Sequence, residues 1–125
     1  DEGTFHVGGA SGRSFILIKL DKDKYYFQVE TGYDGVIAAG VMRREADRFV
    51  YKETGNSCYI SISQPKKYFK VDVNGKCQFG NNKEINLKSE KELSNIISDF
   101  SFDFDEDDSY LNEVKHRPLF QKVAH

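Results

Sequence analysis

Apolar and polar side chains alternate along most of the chain between residues 14 and 73. The apolar positions are rich in aromatic and β-branched residues, which are typical of β-strands. Strands are predicted over residues 14–20, 24–31, 36–42, 48–52, 58–63 and 68–73, with a last short strand over 84–88. Turn-forming residues at 21–23 and 64–66 separate neighbouring runs. The pattern therefore predicts consecutive strands that pair as antiparallel hairpins.

Small residues mark the strand predicted over residues 36–42. Gly40 lies inside this run, and a glycine within a strand indicates either a β-bulge or a close approach of a neighbouring group. Residues 43–46 are predicted to turn the chain into the next strand.

The segment after residue 88 predicts helix. Ser89 and Glu92 have the spacing of a capping box, in which each side chain accepts a hydrogen bond from the other's backbone amide. A helix is therefore expected from residue 90 to about residue 98, with Leu93, Ile96 and Ile97 on the face that docks on the sheet.

The C-terminal tail predicts a second short helix over residues 110–116, which Pro118 stops. Leu119 and Phe120 are expected to anchor the tail on the domain. The basic residues Lys115, Arg117 and Lys122 would weaken any role of the acidic segment that precedes them if they folded over it.

Short strands at intervals of about ten residues, with no helix before residue 89, predict a mainly β fold. We expect an antiparallel β-sandwich or small barrel of seven or eight strands, with a C-terminal helix and an acidic extension. The length of 125 residues suits one domain. Residues 1–98 should form the β domain with its docking helix, and residues 99–125 the acidic segment and tail packed on it.

Composition narrows the class of protein. The hydrophobic fraction of 38%, with 7 Tyr and 10 Phe, is sufficient for a core in which large rings replace aliphatic volume. The net charge of -2 disfavours nucleic acid as a partner, because such domains carry a basic excess or a basic stripe. No apolar run approaches the roughly 20 residues that cross a bilayer, so membrane insertion is not expected.

The two cysteines, Cys58 and Cys77, bear on the compartment. An even count in a small, strand-rich chain favours a structural disulfide, and hence a periplasmic or secreted protein. The chain starts at Asp1, as a mature form would after removal of a signal peptide, although an arbitrary start would look the same. The alternative is a pair of buried free thiols in a cytosolic protein.

The most unusual feature is an acidic segment over residues 98–108. It carries six carboxylates, at Asp99, Asp103, Asp105, Glu106, Asp107 and Asp108. Phe100, Phe102 and Phe104 alternate with them, so an extended chain would place the rings on one side. The segment could be a solvated edge strand whose charge prevents unwanted pairing, a calcium site, or a surface that complements a cationic protein.

Calcium is disfavoured by the spacing. Asp103, Asp105 and Asp107 match positions one, three and five of a helix–loop–helix calcium loop, but Asp108 replaces the glycine of position six. Val114 replaces the bidentate glutamate of position twelve. We therefore expect no tight metal site.

Enzymatic activity is not expected either. The three histidines, His6, His116 and His125, lie toward the termini, and no Ser, Cys or carboxylate stands at a spacing typical of a nucleophile and its base. Neither a catalytic site nor a cofactor is predicted.

Several motifs of the central half of the chain resemble a known protein family. These are GVIAAG, FVY, CYISI, FKVDV and CQFG, at residues 35–40, 49–51, 58–62, 69–73 and 77–80. They are similar to small exported bacterial β proteins of the lysozyme-inhibitor-like (LprI-type) kind, which include periplasmic immunity proteins. The resemblance implies an envelope protein that blocks a peptidoglycan hydrolase. The chain departs from that pattern after Leu87, where it adds the capped helix and the acidic tail.

The expected function is that of a periplasmic binding protein that inhibits a cell-wall hydrolase, or neutralises a secreted antibacterial effector, by stoichiometric occlusion. The predicted partner-binding residues are Asp103, Asp105, Glu106, Asp107, Asp108 and Tyr110. The alternatives are a structural or accessory envelope protein without inhibitory target, and a β domain that binds a small ligand or calcium.

Overall fold

In a computed structural model, the chain is mainly β and forms an antiparallel sheet with two C-terminal helices, which confirms the predicted mainly β class. The structure describes residues 2–7, 12–46, 48–52, 59–63, 70–74, 79, 82–86, 88–89, 91–92, 103–105 and 107–125. Within this part of the chain, no helix is long and apolar enough to cross a membrane.

The strands of the described residues all belong to one sheet. They are β1 (Gly3–Val7), β2 (Arg13–Lys19), β3 (Lys24–Thr31), β4 (Gly35–Glu45), β5 (Arg48–Lys52), β6 (Tyr59–Ser63), β7 (Lys70–Asn74) and β8 (Asp103–Asp105). Their order in the sheet is β7-β6-β5-β4-β3-β2-β1-β8. Each strand from β1 to β6 pairs with the next one in sequence, as expected for consecutive hairpins, and β8 pairs with β1. In this order β7 and β8 lie at opposite edges, so closure into a sandwich or barrel is not confirmed.

The turn between β2 and β3 forms at the predicted residues 21–23. The backbone amide of Leu20 donates to the carbonyl of Lys24 over 2.9 Å, and Asp21 accepts the amide of Lys22 on its side chain. β1 was not predicted, because its five residues are followed in the sequence by Gly8 and Gly9, and the run before them is too short to show an alternating pattern.

One predicted turn and one predicted strand were wrong. Residues 43–45, predicted as a turn, continue β4, and the chain reverses only at Ala46, which has a φ of 57°. Residues 84–88 were predicted as a strand, but residues 82–86 form a turn in which Asn82 accepts the amide of Glu84 over 2.9 Å. An asparagine side chain that bonds the backbone two residues on favours a turn over extended chain.

An aromatic core covers one face of β3. Phe27 lies among three rings, with centroid distances of 6.1 Å to Phe15, 5.2 Å to Tyr51 and 6.2 Å to Phe79. The backbone of Gly40 lies under two of these rings. A methyl group at Gly40 would lie 2.6 Å from Cε1 of Tyr51 and 2.8 Å from Cε1 of Phe27, so the predicted close approach is confirmed. The bulge is elsewhere in β4, at Ile37.

The helices α1 (Ser109–Lys115) and α2 (Pro118–Ala124) pack on the opposite face of the sheet, α1 against β1 and α2 against β3 and β4. Tyr26 points to this side and meets Phe120 edge to face, with ring centroids 4.9 Å apart. Leu119 and Phe120 are buried, as predicted. Pro118 ends the first helix but also begins α2, because its fixed φ and missing amide suit the first position of a helix.

The capping box at residue 89 is confirmed. The amide of Glu92 donates to Oγ of Ser89 over 3.2 Å, and the amide of Ser89 donates to Oε2 of Glu92 over 3.0 Å. These hydrogen bonds from Ser89 lower the pKa of Glu92. Residues 91–92 are helical, whereas residues 93–98, with the predicted docking face, lie outside the described residues.

The hairpin of β6 and β7 pairs Tyr59 with Asn74 and Ser63 with Lys70. The predicted turn at residues 64–66 centres the hairpin near Pro65 and would place Cys58 around Asp72. The observed register is shifted from this by about three residues, so that register was wrong. Cys58 and Cys77 themselves lie outside the described residues, so their disulfide stays a prediction.

Candidate functional site

The acidic segment enters the described structure as β8, the edge strand beside β1. Asp103 pairs with His6 and Asp105 pairs with Thr4 in the antiparallel ladder. Asp107 and Asp108 follow it and are exposed, and α1 begins directly after them. Glu106 lies outside the described residues, and the side chain of Asp103 is not described either. Of the predicted partner-binding residues, Asp103 and Asp105 thus lie at one edge of the sheet, and Asp107 and Asp108 follow this edge directly.

Two successive side-chain turns fix the course of the chain between β8 and α1. The amide of Asp107 donates to Oδ1 of Asp105 over 2.9 Å, and the amide of Ser109 donates to Oδ1 of Asp107 over 3.0 Å. Short acidic side chains accept such bonds from the residue two positions on. Part of the acidic character of this segment therefore serves local structure.

Tyr110 ties the start of α1 to the sheet. Its hydroxyl donates to the carboxylate of Glu30 on β3, with distances of 2.6 Å to Oε1 and 2.5 Å to Oε2. The half-buried ring packs against the core. Burial and the hydrogen bond to Glu30 raise the pKa of Tyr110 to about 12. Both effects favour the neutral phenol, because a phenolate would lose hydration and face a carboxylate.

Glu30 also accepts bonds from its own strand. Gln28 donates from Nε2 to Oε1 of Glu30, and the hydroxyl of Tyr26 donates to Oε1 of Gln28 over 2.5 Å. Burial, followed by the negative charge of Glu30, raises the pKa of Tyr26 above its ordinary value. Gln28 is fully buried, so these bonds satisfy a polar group that would otherwise be costly to bury.

Arg117, between the two helices, completes this arrangement. It donates to Oε1 of Glu30 over 3.2 Å and to Oε1 of Glu113 over 3.0 Å, and its guanidinium lies 5.2 Å from the ring centre of Tyr110. Burial lowers the pKa of Arg117, but its bonds to Glu113 and the nearby Tyr110 and Glu30 outweigh this and raise it. We call the five residues Tyr26, Gln28, Glu30, Tyr110 and Arg117 the Glu30 network.

The other basic side chains of the tail also have partners away from the acidic segment. Lys115 lies 3.9 Å from Glu2, and Lys122 lies 3.8 Å from Glu84. Together with Arg117, these are the residues that could have neutralised the acidic segment. In the described part of the chain, none of the three pairs with it.

The histidines are dispersed. Nδ1 of His116 lies 2.7 Å from the carbonyl of Asn112 in its own helix, and His125 meets the ring of Phe120. The side chain of His6 is not described. Among the described residues, no group of three or more His, Cys, Asp or Glu side chains could hold a metal ion.

Sequence reasoning missed Glu30 and Gln28. A signal was present, since Tyr26, Gln28 and Glu30 stand at every second position of β3 and therefore share one face. Three polar groups on a face whose neighbouring strands are apolar indicate a buried hydrogen-bond network rather than a solvated face.

A scan against protein-family models finds no match for this chain, and comparisons with curated proteins and with solved structures find none either. The similarity to lysozyme-inhibitor-like proteins therefore stands on the quoted motifs alone.

Proposed function

We propose that this protein is a periplasmic or secreted binding protein that inhibits a cell-wall hydrolase, or neutralises a secreted antibacterial effector, by stoichiometric occlusion. The acidic edge formed by β8 and the start of α1 is the surface that meets the partner. A cationic enzyme surface is the complement of such an edge, and complementary charge accelerates encounter.

The observation that carries this proposal is the pairing of the tail cations. Lys115, Arg117 and Lys122 are close to the acidic segment in sequence, yet each pairs with a carboxylate elsewhere. A tail folded over the acidic segment would have cancelled its charge. The observed pairings leave the exposed carboxylates of Asp107 and Asp108 available to an external cation.

Rigidity of the acidic edge is a second support. The side-chain turns of Asp105 and Asp107 fix the backbone, and Tyr110 fastens the adjoining helix to β3. A surface that is already ordered loses less conformational entropy on binding. Tyr110 was predicted as a partner-binding residue, but its hydroxyl is bonded and its ring half buried, so its proposed role becomes that of positioning α1.

The alternative is a structural or accessory envelope protein with no inhibitory target. The side-chain turns favour it, since they give Asp105 and Asp107 a role in local structure. An inhibitor needs the negative charge of these aspartates, whereas an accessory protein needs only the side-chain turns that they form. An amide oxygen can accept the same backbone bonds as a carboxylate, so the charge can be removed while the turns remain.

The experiment removes charge and keeps the turns. In the double variant Asp107→Asn and Asp108→Asn, the side-chain amide oxygen introduced at position 107 would still accept the backbone amide of Ser109. A panel of lysozymes and amidases identifies the inhibited enzyme, and binding kinetics are then measured at several salt concentrations. We expect association to slow by about tenfold at low salt and its salt dependence to flatten, with little change in dissociation.

The matched control is Asp21→Asn with Asp23→Asn, which removes two exposed carboxylates from the turn between β2 and β3. It should leave association within about twofold of the parent, because the turn joins β2 and β3, and β1 separates these strands from β8. If association slowed equally in both variants, the effect would come from the net charge of the protein and not from the acidic edge. Unchanged kinetics in both variants would favour the accessory role.

The compartment is part of the same proposal. An exported protein should carry Cys58 and Cys77 as a disulfide, which would close a loop of about 20 residues and stabilise the fold by about 3 kcal/mol. The sandwich or small barrel likewise remains a proposal. It is supported by β3, in which residues 25–29 are all buried, so that both faces of the strand are covered.

A further inference from the structure

A second charged surface lies on the sheet, away from the acidic edge. It is a groove of about 310 Å³ that crosses β3, β4 and β5. Lys24, Arg43 and Lys52 line it, one from each strand, with Val41 and Val50 beneath them and Glu45 at one end. We call it the basic groove.

The cations of the basic groove differ from those of the tail. Within the described part of the chain, Lys24, Arg43 and Lys52 make no ion pair, whereas Arg117, Lys115 and Lys122 all do. A chain with a net charge of -2 has carboxylates enough to pair these cations. Their positive charge is therefore left concentrated at one place.

Two of these cations directly oppose each other. Lys24 and Arg43 are register partners in the antiparallel ladder between β3 and β4, so their side chains emerge on the same face. Like charges directly opposite one another destabilise a sheet. The arrangement has a local cost in the free chain, which a bound anion between the two strands would remove.

The floor of the basic groove is apolar. Val50 is 9% exposed, and Val41 is half buried. Val41 also lines a neighbouring depression of about 370 Å³, whose far side is formed by Lys122 and Val123 of α2. The helices thus cover part of this face of the sheet, and the basic groove begins where their cover ends.

We propose that the basic groove binds an acidic segment of a partner protein in which carboxylates alternate with apolar side chains. The carboxylates would meet Lys24, Arg43 and Lys52, and the apolar side chains would lie on Val41 and Val50. Nucleic acid fits less well, because binding of its phosphate backbone requires a wider basic surface than these three cations provide. Its phosphates also make no favourable contact with an apolar floor. This site is independent of the acidic edge and of its proposed partner.

The chain itself supplies a suitable probe. A labelled peptide with the sequence of residues 99–108, DFSFDFDEDD, has the required alternation, and NFSFNFNQNN is its uncharged control. Fluorescence anisotropy with the full-length protein should show binding of the acidic peptide that weakens as salt is raised. Equal binding of the uncharged peptide, or no binding of the acidic one at millimolar protein, would overturn the proposal.

Variants of the protein then locate the site. Arg43→Glu should weaken binding of the acidic peptide by about tenfold or more, whereas Lys83→Glu, the same change at an exposed cation outside the groove, should stay within about twofold. Arg43→Glu should also raise the thermal unfolding midpoint, because it replaces a repulsive pair with Lys24 by an attractive one. A variant that is at least as stable and yet binds poorly cannot owe its loss to misfolding.

Equal losses in Arg43→Glu and Lys83→Glu would refute a defined site, since only the net charge would then matter. Sedimentation velocity of the unlabelled protein completes the test. Concentration-dependent association that Arg43→Glu abolishes and Lys83→Glu preserves would support the groove and identify a second copy of this chain as its acidic partner.

Discussion

Replacing Tyr110 by phenylalanine isolates the contact that fastens α1 to the sheet. The substitution keeps the half-buried ring and its position beneath Arg117, and removes only the hydroxyl that donates to Glu30. Glu30 retains its bonds from Gln28 and Arg117, so its charge does not become unpaired.

The size of the effect follows from the kind of bond lost. Hydrogen bonds to a charged group contribute about 1.5–3 kcal/mol to stability, more than those between neutral groups. Tyr110 is only half buried, and water can replace part of the lost interaction. We therefore expect the free energy of unfolding to fall by about 1–2 kcal/mol.

Urea unfolding at pH 7, followed by circular dichroism, measures this loss, and Tyr33→Phe is the matched control. Tyr33 is 80% exposed, so loss of its hydroxyl should change the free energy of unfolding by less than about 0.5 kcal/mol. Hydrogen exchange should show faster exchange of the amides of α1 in Tyr110→Phe, with the amides of β3 unaffected.

A Tyr110→Phe protein as stable as the parent would contradict the positioning role of Tyr110. Equal destabilisation by Tyr33→Phe would contradict it too, because an exposed hydroxyl without a described partner would then matter as much as the bonded one. If the helix amides kept their protection despite a loss of global stability, the bond would stabilise the sheet rather than the attachment of α1.

Two further predictions concern the core and the pH dependence. Gly40→Ala should lower the free energy of unfolding by about 1–3 kcal/mol, because the added methyl would overlap the rings of Tyr51 and Phe27; an unchanged denaturation midpoint would show that the rings move aside. The pKa of Tyr110 is raised to about 12 and that of Tyr26 is raised as well, so their contribution to stability is fully present below the ordinary tyrosine pKa near 10 and is lost as pH rises through the higher folded values. Urea midpoints should therefore fall between about pH 10 and pH 12, and less steeply in Tyr110→Phe than in the parent.

Local patterns in the sequence were sufficient for much of the secondary structure. β3 and β5 have the predicted bounds, and the capping box at Ser89 forms as expected. Such features depend on neighbours a few residues apart, where turn chemistry and side-chain alternation act directly. The extension of β4 through Glu45 was missed because strand pairing with β5, rather than local propensity, keeps that polar segment extended.

The candidate sites depended far more on tertiary contacts. The sequence shows where the carboxylates of the acidic segment are, but not that Arg117 pairs with Glu30, 87 residues away, and not with the described residues of that segment. The basic groove is even harder to predict from the sequence. Lys24, Arg43 and Lys52 lie on three different strands and become neighbours only through the strand register. Sequence patterns specify which side chains share a face of one strand, whereas the pairing of strands and the docking of helices decide which faces and charges meet. Those long-range contacts form where burial of the aromatic core outweighs the loss of chain entropy, and a local pattern does not contain that balance.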